Sequence, residues 1–128
     1  MFDTRDDWRR LCVAEDLSVR RGGRIQVGFA NRRSHEVRVH DGDDGYLITA
    51  IVADLDDRRP VQDPYEDVWL RNRRSRLVGF RIDNDGTLVA HGWTPRAGLT
   101  AEAFQLLIRT VAREADRYEF HLTGADAR

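Results

Sequence analysis

The C-terminal segment limits the fold more than any other feature of the chain. Phe104, Leu107, Ile108, Val111, Ala115 and Tyr118 recur at helical spacing and form one wide apolar stripe on a helix of about 17 residues. Thr100 suits its N-cap, and Leu99 before the cap can pack on Phe104 as a hydrophobic staple. Such a stripe has to be covered, and the residues upstream supply a sheet to cover it. From Leu17 the apolar period changes to two: Ile25, Val27 and Phe29 alternate with Arg24, Gln26 and Gly28. After the polar turn from Asn31 to Ser34, Val37 and Val39 alternate with Glu36, Arg38 and His40, the pattern of half-buried antiparallel strands. Beyond an Asp- and Gly-rich turn at Asp41 to Gly45, the run from Tyr46 to Ala53 is apolar enough to predict a central strand covered on both faces. Alternation resumes with Val78, Phe80 and Ile82, turns at Asp83 to Gly86, and returns through Thr87 to Trp93.

Two further helices are predicted. Thr4 is a candidate N-cap with Asp6 and Asp7 in the first turn, which places Trp8, Leu11 and Cys12 on one face. Asp63, Pro64 and Glu66 form a capping box that opens a short helix in which Tyr65, Val68 and Trp69 share the apolar face. On that reading Trp69 anchors the helix on the sheet. Asn72, one turn past Val68, sits near where the helix should stop, and asparagine tolerates the left-handed conformation that ends helices. The order is helix, three or four strands, helix, two strands, helix. Hairpin-length turns make the strands antiparallel, so the expected fold is α+β, in the order α-β-β-β-α-β-β-α, over a single domain 1–128.

Charge and composition narrow the function. The net charge is −1 and every basic side chain except histidine is arginine, so no global field draws the chain onto nucleic acid or an acidic membrane. Cys12 is the sole cysteine and has no internal disulfide partner. No apolar run approaches the roughly 18 residues of a membrane helix, and the acidic N-terminal segment does not read as a signal peptide. A cytoplasmic location is the resulting expectation. His35, His40, His91 and His121 are scattered without metal-ligand spacing and read as structural or surface residues. Neither acidic turn fits a calcium loop. Ser18, Ser34 and Ser75 lie outside any nucleophile elbow, no glycine-rich phosphate loop is present, and Cys12 reads as a small core hydrophobe. The sequence therefore points to no enzyme, no cofactor and no metal.

Binding remains. Arg71, Arg73, Arg74 and Arg76 crowd the end of the short helix, where they could contact phosphates while Trp69 stacks on a base. Glu66 and Asp67 balance them, and positive charge at a helix C-terminus is favourable without a ligand. A solvated helix end is the stronger reading, and a nucleic-acid-associated regulator the alternative. Leu70 and Leu106 fall off their helices' main apolar faces, and Trp93 ends its strand before a Pro- and Gly-containing loop. Trp69, Leu70 and Trp93 are the expected contact residues for a protein segment or a second copy of the chain.

Three features carry a family resemblance: Asn72 at a helix end, the hairpin turn from Asp83 to Gly86, and Ala115-Asp116 in the final helix. With the strand order they make the chain resemble the YbjN and type III secretion chaperone-like family, chiefly over its C-terminal half. The resemblance implies a small non-enzymatic domain, often dimeric, that binds protein segments as a chaperone or regulatory adaptor. Secretion chaperones of this type are strongly acidic, whereas this chain is near neutral.

Overall fold

The computed structural model describes residues 7–54 and 64–123. Among them, β1 (Leu17–Val19), β2 (Arg24–Gly28), β3 (Ser34–Asp41), β4 (Gly45–Asp54), β5 (Gly79–Ile82) and β6 (Thr87–Pro95) form one sheet in the order β1-β2-β3-β4-β6-β5. All neighbouring pairs are antiparallel. Two α-helices, α1 (Pro64–Arg74) and α2 (Ala101–Thr123), complete the α+β fold. The expected order holds with one added strand, the short β1, which leads into β2 through Gly22 and Gly23, both at φ 74°. At Gly23 a Cβ would lie 2.7 Å from the Val39 carbonyl oxygen, so the turn needs a glycine for space as well as for conformation.

The apolar stripe of α2 does what its spacing predicts. Phe104, Leu107, Ile108, Val111, Ala112, Ala115 and Tyr118 are buried against a sheet face built from Ile25, Val27, Val37, Ile48, Ala50, Val52, Leu88 and Ala90. Thr100 Oγ1 accepts from the Ala103 N–H at 3.2 Å, and Leu99 and Phe104 on either side of this cap are both buried. The helix runs past Tyr118 to Thr123, because Glu119 and Leu122 continue its buried face. It lies so close to the sheet that a Cβ on Gly92 would stand 2.6 Å from Leu107 Cδ1.

Three local expectations are corrected. The first element is a single 3₁₀ turn, Trp8–Leu11, capped by Asp7, whose side chain accepts from the Arg9 N–H at 2.9 Å. Its face is the expected one, with Trp8 and Cys12 buried and Leu11 packed beside them, but the chain leaves the helical path at Cys12 to enter β1. Thr4, Asp6 and Asp63, the other proposed cap and first-turn residues, lie outside the described residues. Among the described residues, the central strand β4 is covered on one face only. Tyr46, Ile48, Ala50 and Val52 point toward α2, whereas Ile51 is 48% exposed and Leu47 and Thr49 are half-buried on the far side. Alternation within an apolar run still sorts the two faces, and only one of them receives a helix. The third correction concerns α1 and the surface it carries.

Candidate partner-binding surface

Helix α1 is held to the domain by polar ties more than by apolar burial. Val68 is its buried residue, while Tyr65, Trp69 and Leu70 are exposed, Trp69 by 57%. The ties come from Asp67, Arg71 and Asn72, on either side of Val68. The Asn72 amide clamps the backbone of Phe80 on the edge strand β5, donating Nδ2–H to the carbonyl at 2.9 Å and accepting its N–H at 2.7 Å. The Tyr118 hydroxyl of α2 donates to Asp67, and the Arg71 guanidinium lies over the Tyr118 ring at 3.8 Å from its centroid. Burial and the Asp67 hydrogen bond together hold the proton on the Tyr118 phenol, pushing its pKa up. Asn72 is therefore a docking residue inside the helix and does not terminate it; the described non-glycine residue with positive φ is Arg32. Trp69 does not anchor the helix. With Tyr65 four residues before it and Arg73 four after, it forms an outward aromatic ridge, Arg73 stacking 5.0 Å from its ring centroid.

Leu70 lines a groove of about 470 Å³ between α1, the link to β5 and α2, together with Leu77, Phe80, Arg71, Arg74 and Arg76. The arginine cluster is thus divided by its surroundings. Arg71 is engaged with Tyr118 and lies 3.7 Å from Asp67, Arg73 covers one face of Trp69, and Arg74 and Arg76 border the groove.

Trp93 belongs to a different surface. It pairs with Leu47 across β6 and β4, one row from His91 and Thr49 and two from Val89 and Ile51. These residues occupy the sheet face opposite α2, whereas α1 joins α2 through Phe80 and Tyr118, whose rings meet edge-on at 5.1 Å. Trp93 is 55% exposed there, its ring lying over Gly45, where a Cβ would come within 2.8 Å. A shallow trough of about 620 Å³ runs along this face past Arg38, His40, Ile51, Arg81 and Val89. The structure consequently brings Trp69 and Leu70 together on α1 and places Trp93 on the other side of the sheet.

The histidines are not equivalent. His40 and His91 sit on the uncovered face, His40 Nε2 bonded to Thr49 Oγ1 at 2.8 Å. Burial, followed by the charges of Arg38 and Arg81 for His40 and of Arg81 for His91, lowers both pKa values. His35 is instead buried in the core beside Asp116 and Glu119 of α2, a grouping that the linear sequence does not announce. Its parity with Val37 and Val39 on β3 was the available signal. Cys12 is buried, and desolvation pushes its thiol up to about 12, so it carries no thiolate near neutral pH.

No described helix is long and apolar enough to cross a membrane. No curated protein sequence matches this one. Among solved structures, the fold is similar to a chain of the HopA1-SchA chaperone-effector complex, with a TM-score of 0.53 and 15% identity over 94% of this chain and 90% of that one. At that identity the likeness is one of fold. The family model described as "Putative bacterial sensory transduction regulator" matches residues 8–123, which takes in every described element from the 3₁₀ turn to the end of α2, and the chain belongs to the YbjN family.

Proposed function

We propose that this domain acts by non-covalent binding of a partner protein segment, as a chaperone-like or regulatory adaptor, with Trp69 and Leu70 on α1 as its principal anchors. The observation that carries the reading is the orientation of α1: an 11-residue helix that buries Val68 and turns Tyr65, Trp69 and Leu70 outward. A helix fixed by an amide clamp and a phenol is rigid enough to present aromatics at little ordering cost, which is where interface hot spots concentrate. The groove beside Leu70 and Leu77 offers room for an apolar side chain of the partner. Trp93 serves as a second anchor on the uncovered sheet face, which an extended segment reaches by passing around the sheet edge. The shared fold of a chaperone-effector complex supports a protein partner.

The arginines are secondary in this account. Arg71 and Arg73 are engaged within the domain, which lowers the number available to phosphates. The test is capture from host lysate with and without nuclease, using the wild-type chain and the Trp69→Ala/Leu70→Ala variant. A partner retained after nuclease and lost by the variant, with its fold intact by circular dichroism, is the expected result. Capture abolished by nuclease and steeply salt-dependent transfers the site to the arginine cluster. A second copy of the chain is the other occupant for such a surface, and sedimentation of the two proteins separates that case.

A further inference from the structure

Three polar side chains sit inside the sheet–helix interface: His35 on the core face of β3, 1% exposed, and Asp116 and Glu119 on α2, 3% and 1% exposed. One ligand-type atom from each lies within 4.8 Å of the others. The orientation of the imidazole is fixed from behind. Nε2 is 2.8 Å from the carbonyl oxygen of Ile51, which can only accept, so Nε2 donates there and Nδ1 faces α2. Asp116 is fixed in the same manner, Oδ2 accepting from Arg33 Nη2 at 2.5 Å. The two remaining atoms, His35 Nδ1 and Asp116 Oδ1, are buried and have no hydrogen-bond partner among the described residues. They face each other at 3.8 Å, too far for a hydrogen bond. Ligands about 2.1 Å from a tetrahedral ion stand about 3.4 Å apart, close to this spacing.

We propose that His35 Nδ1, Asp116 Oδ1 and a Glu119 carboxylate oxygen form a binding site for one divalent transition-metal ion. An imidazole with two carboxylates suits zinc and its first-row neighbours better than the oxygen-seeking calcium or magnesium. The outer contacts match those of a built metal site. A ligating histidine ordinarily donates its other N–H to a carbonyl or carboxylate, as His35 does to Ile51, and a ligating carboxylate is itself hydrogen-bonded, as Asp116 is by Arg33. Arg33 also opposes a cation nearby, which sets the affinity below that of an all-anionic site. A cavity of about 390 Å³ bordered by Arg33, Arg109, Arg113 and Arg117 reaches the Asp116 side of the site. The ion ties β3 to α2 at the level of Tyr118, whose ring and hydroxyl dock α1, and so supports the scaffold beneath the exposed ridge.

The experiment uses the untagged full chain stripped with chelator, then titrated with zinc at pH 7.5 by calorimetry and thermal melting, and with cobalt(II) by visible absorption. One zinc per chain is expected, with the absorption bands of tetrahedral cobalt and a melting rise of roughly 10 °C at free zinc about a hundredfold above Kd. Glu119→Gln and His35→Gln each weaken binding at least about tenfold, whereas His121→Gln, at an exposed position of the same helix, leaves it unchanged. Absence of stoichiometric binding by the wild type overturns the proposal. Binding that survives in Glu119→Gln, or that is lost in His121→Gln, overturns it equally. Should His35→Gln fail to fold, the wild-type stoichiometry and Glu119→Gln decide between these results.

Discussion

Replacing Asn72 by alanine isolates what holds α1 in place. The amide makes two hydrogen bonds, of 2.9 and 2.7 Å, to the carbonyl and N–H of Phe80. Each is worth about 1 kcal/mol net, and a backbone group left without a partner in a partly buried place costs about 1–3 kcal/mol. Because β5 is the sheet edge, water can reach the Phe80 backbone once the amide is removed, which keeps the total near the lower limit, about 2 kcal/mol. For a domain of this size that is a fall in melting temperature of about 8 °C. Urea unfolding checks it directly: the midpoint should drop while the slope m stays the same, since the native surface changes little. The comparison is Trp69→Ala, which removes a larger side chain from the same helix yet loses only an exposed stacking contact with Arg73, under about 1 kcal/mol. If Asn72→Ala is as mild as Trp69→Ala, or milder, the amide clamp does not dock α1 and the reasoning about its rigidity fails.

Two further outcomes follow from the titrating groups. Only the thiolate of Cys12 reacts with alkylating or disulfide reagents; with the thiol pushed up to about 12, labelling of the folded chain at pH 8 should be slower than that of the denatured chain by more than about a thousandfold, and fast labelling would show that the first turn opens readily. His40 and His91 have lowered pKa values, through burial first and then Arg38 and Arg81 for His40 and Arg81 for His91, with Asp83 partly opposing at His91. A group depressed in the folded state stabilises above its unfolded value and loses that contribution as pH falls through the folded one. The melting temperature should therefore begin to decline below about pH 6.5, and His40→Gln/His91→Gln should flatten this limb; an unchanged limb in the double variant would contradict the assignment.

Much of the architecture is legible in the sequence because it rests on period. The helical spacing from Phe104 to Tyr118 and the alternation around Ile25, Val37 and Phe80 each fix which face is buried without reference to distant residues. The direction of α1 is not legible in the same way. Tyr65, Val68 and Trp69 satisfy helical spacing, but in an 11-residue helix the side that docks is decided by Asn72 meeting Phe80 and by Asp67 and Arg71 meeting Tyr118. Those partners come from other elements, so spacing alone chose the wrong face for Trp69. Leu70 falls off the packed face as expected, while the separation of Trp93 from α1 depends on strand parity together with the side of the sheet that α2 selects. The grouping of His35 with Asp116 and Glu119 required the pairing of a strand with a helix from the far end of the chain, although each residue's place on a buried stripe could be read locally.

Site-specific photo-crosslinking in host cells tests the central claim most directly. A photoreactive side chain is placed at Trp69 in one protein and, as control, at Arg20, an exposed residue just after β1 at the far edge of the sheet from β5. A discrete protein adduct formed from position 69, absent from position 20 and diminished by Leu70→Ala is the predicted result. Equal adducts from both positions, or crosslinks from position 69 to nucleic acid alone, would contradict a protein-binding surface on α1.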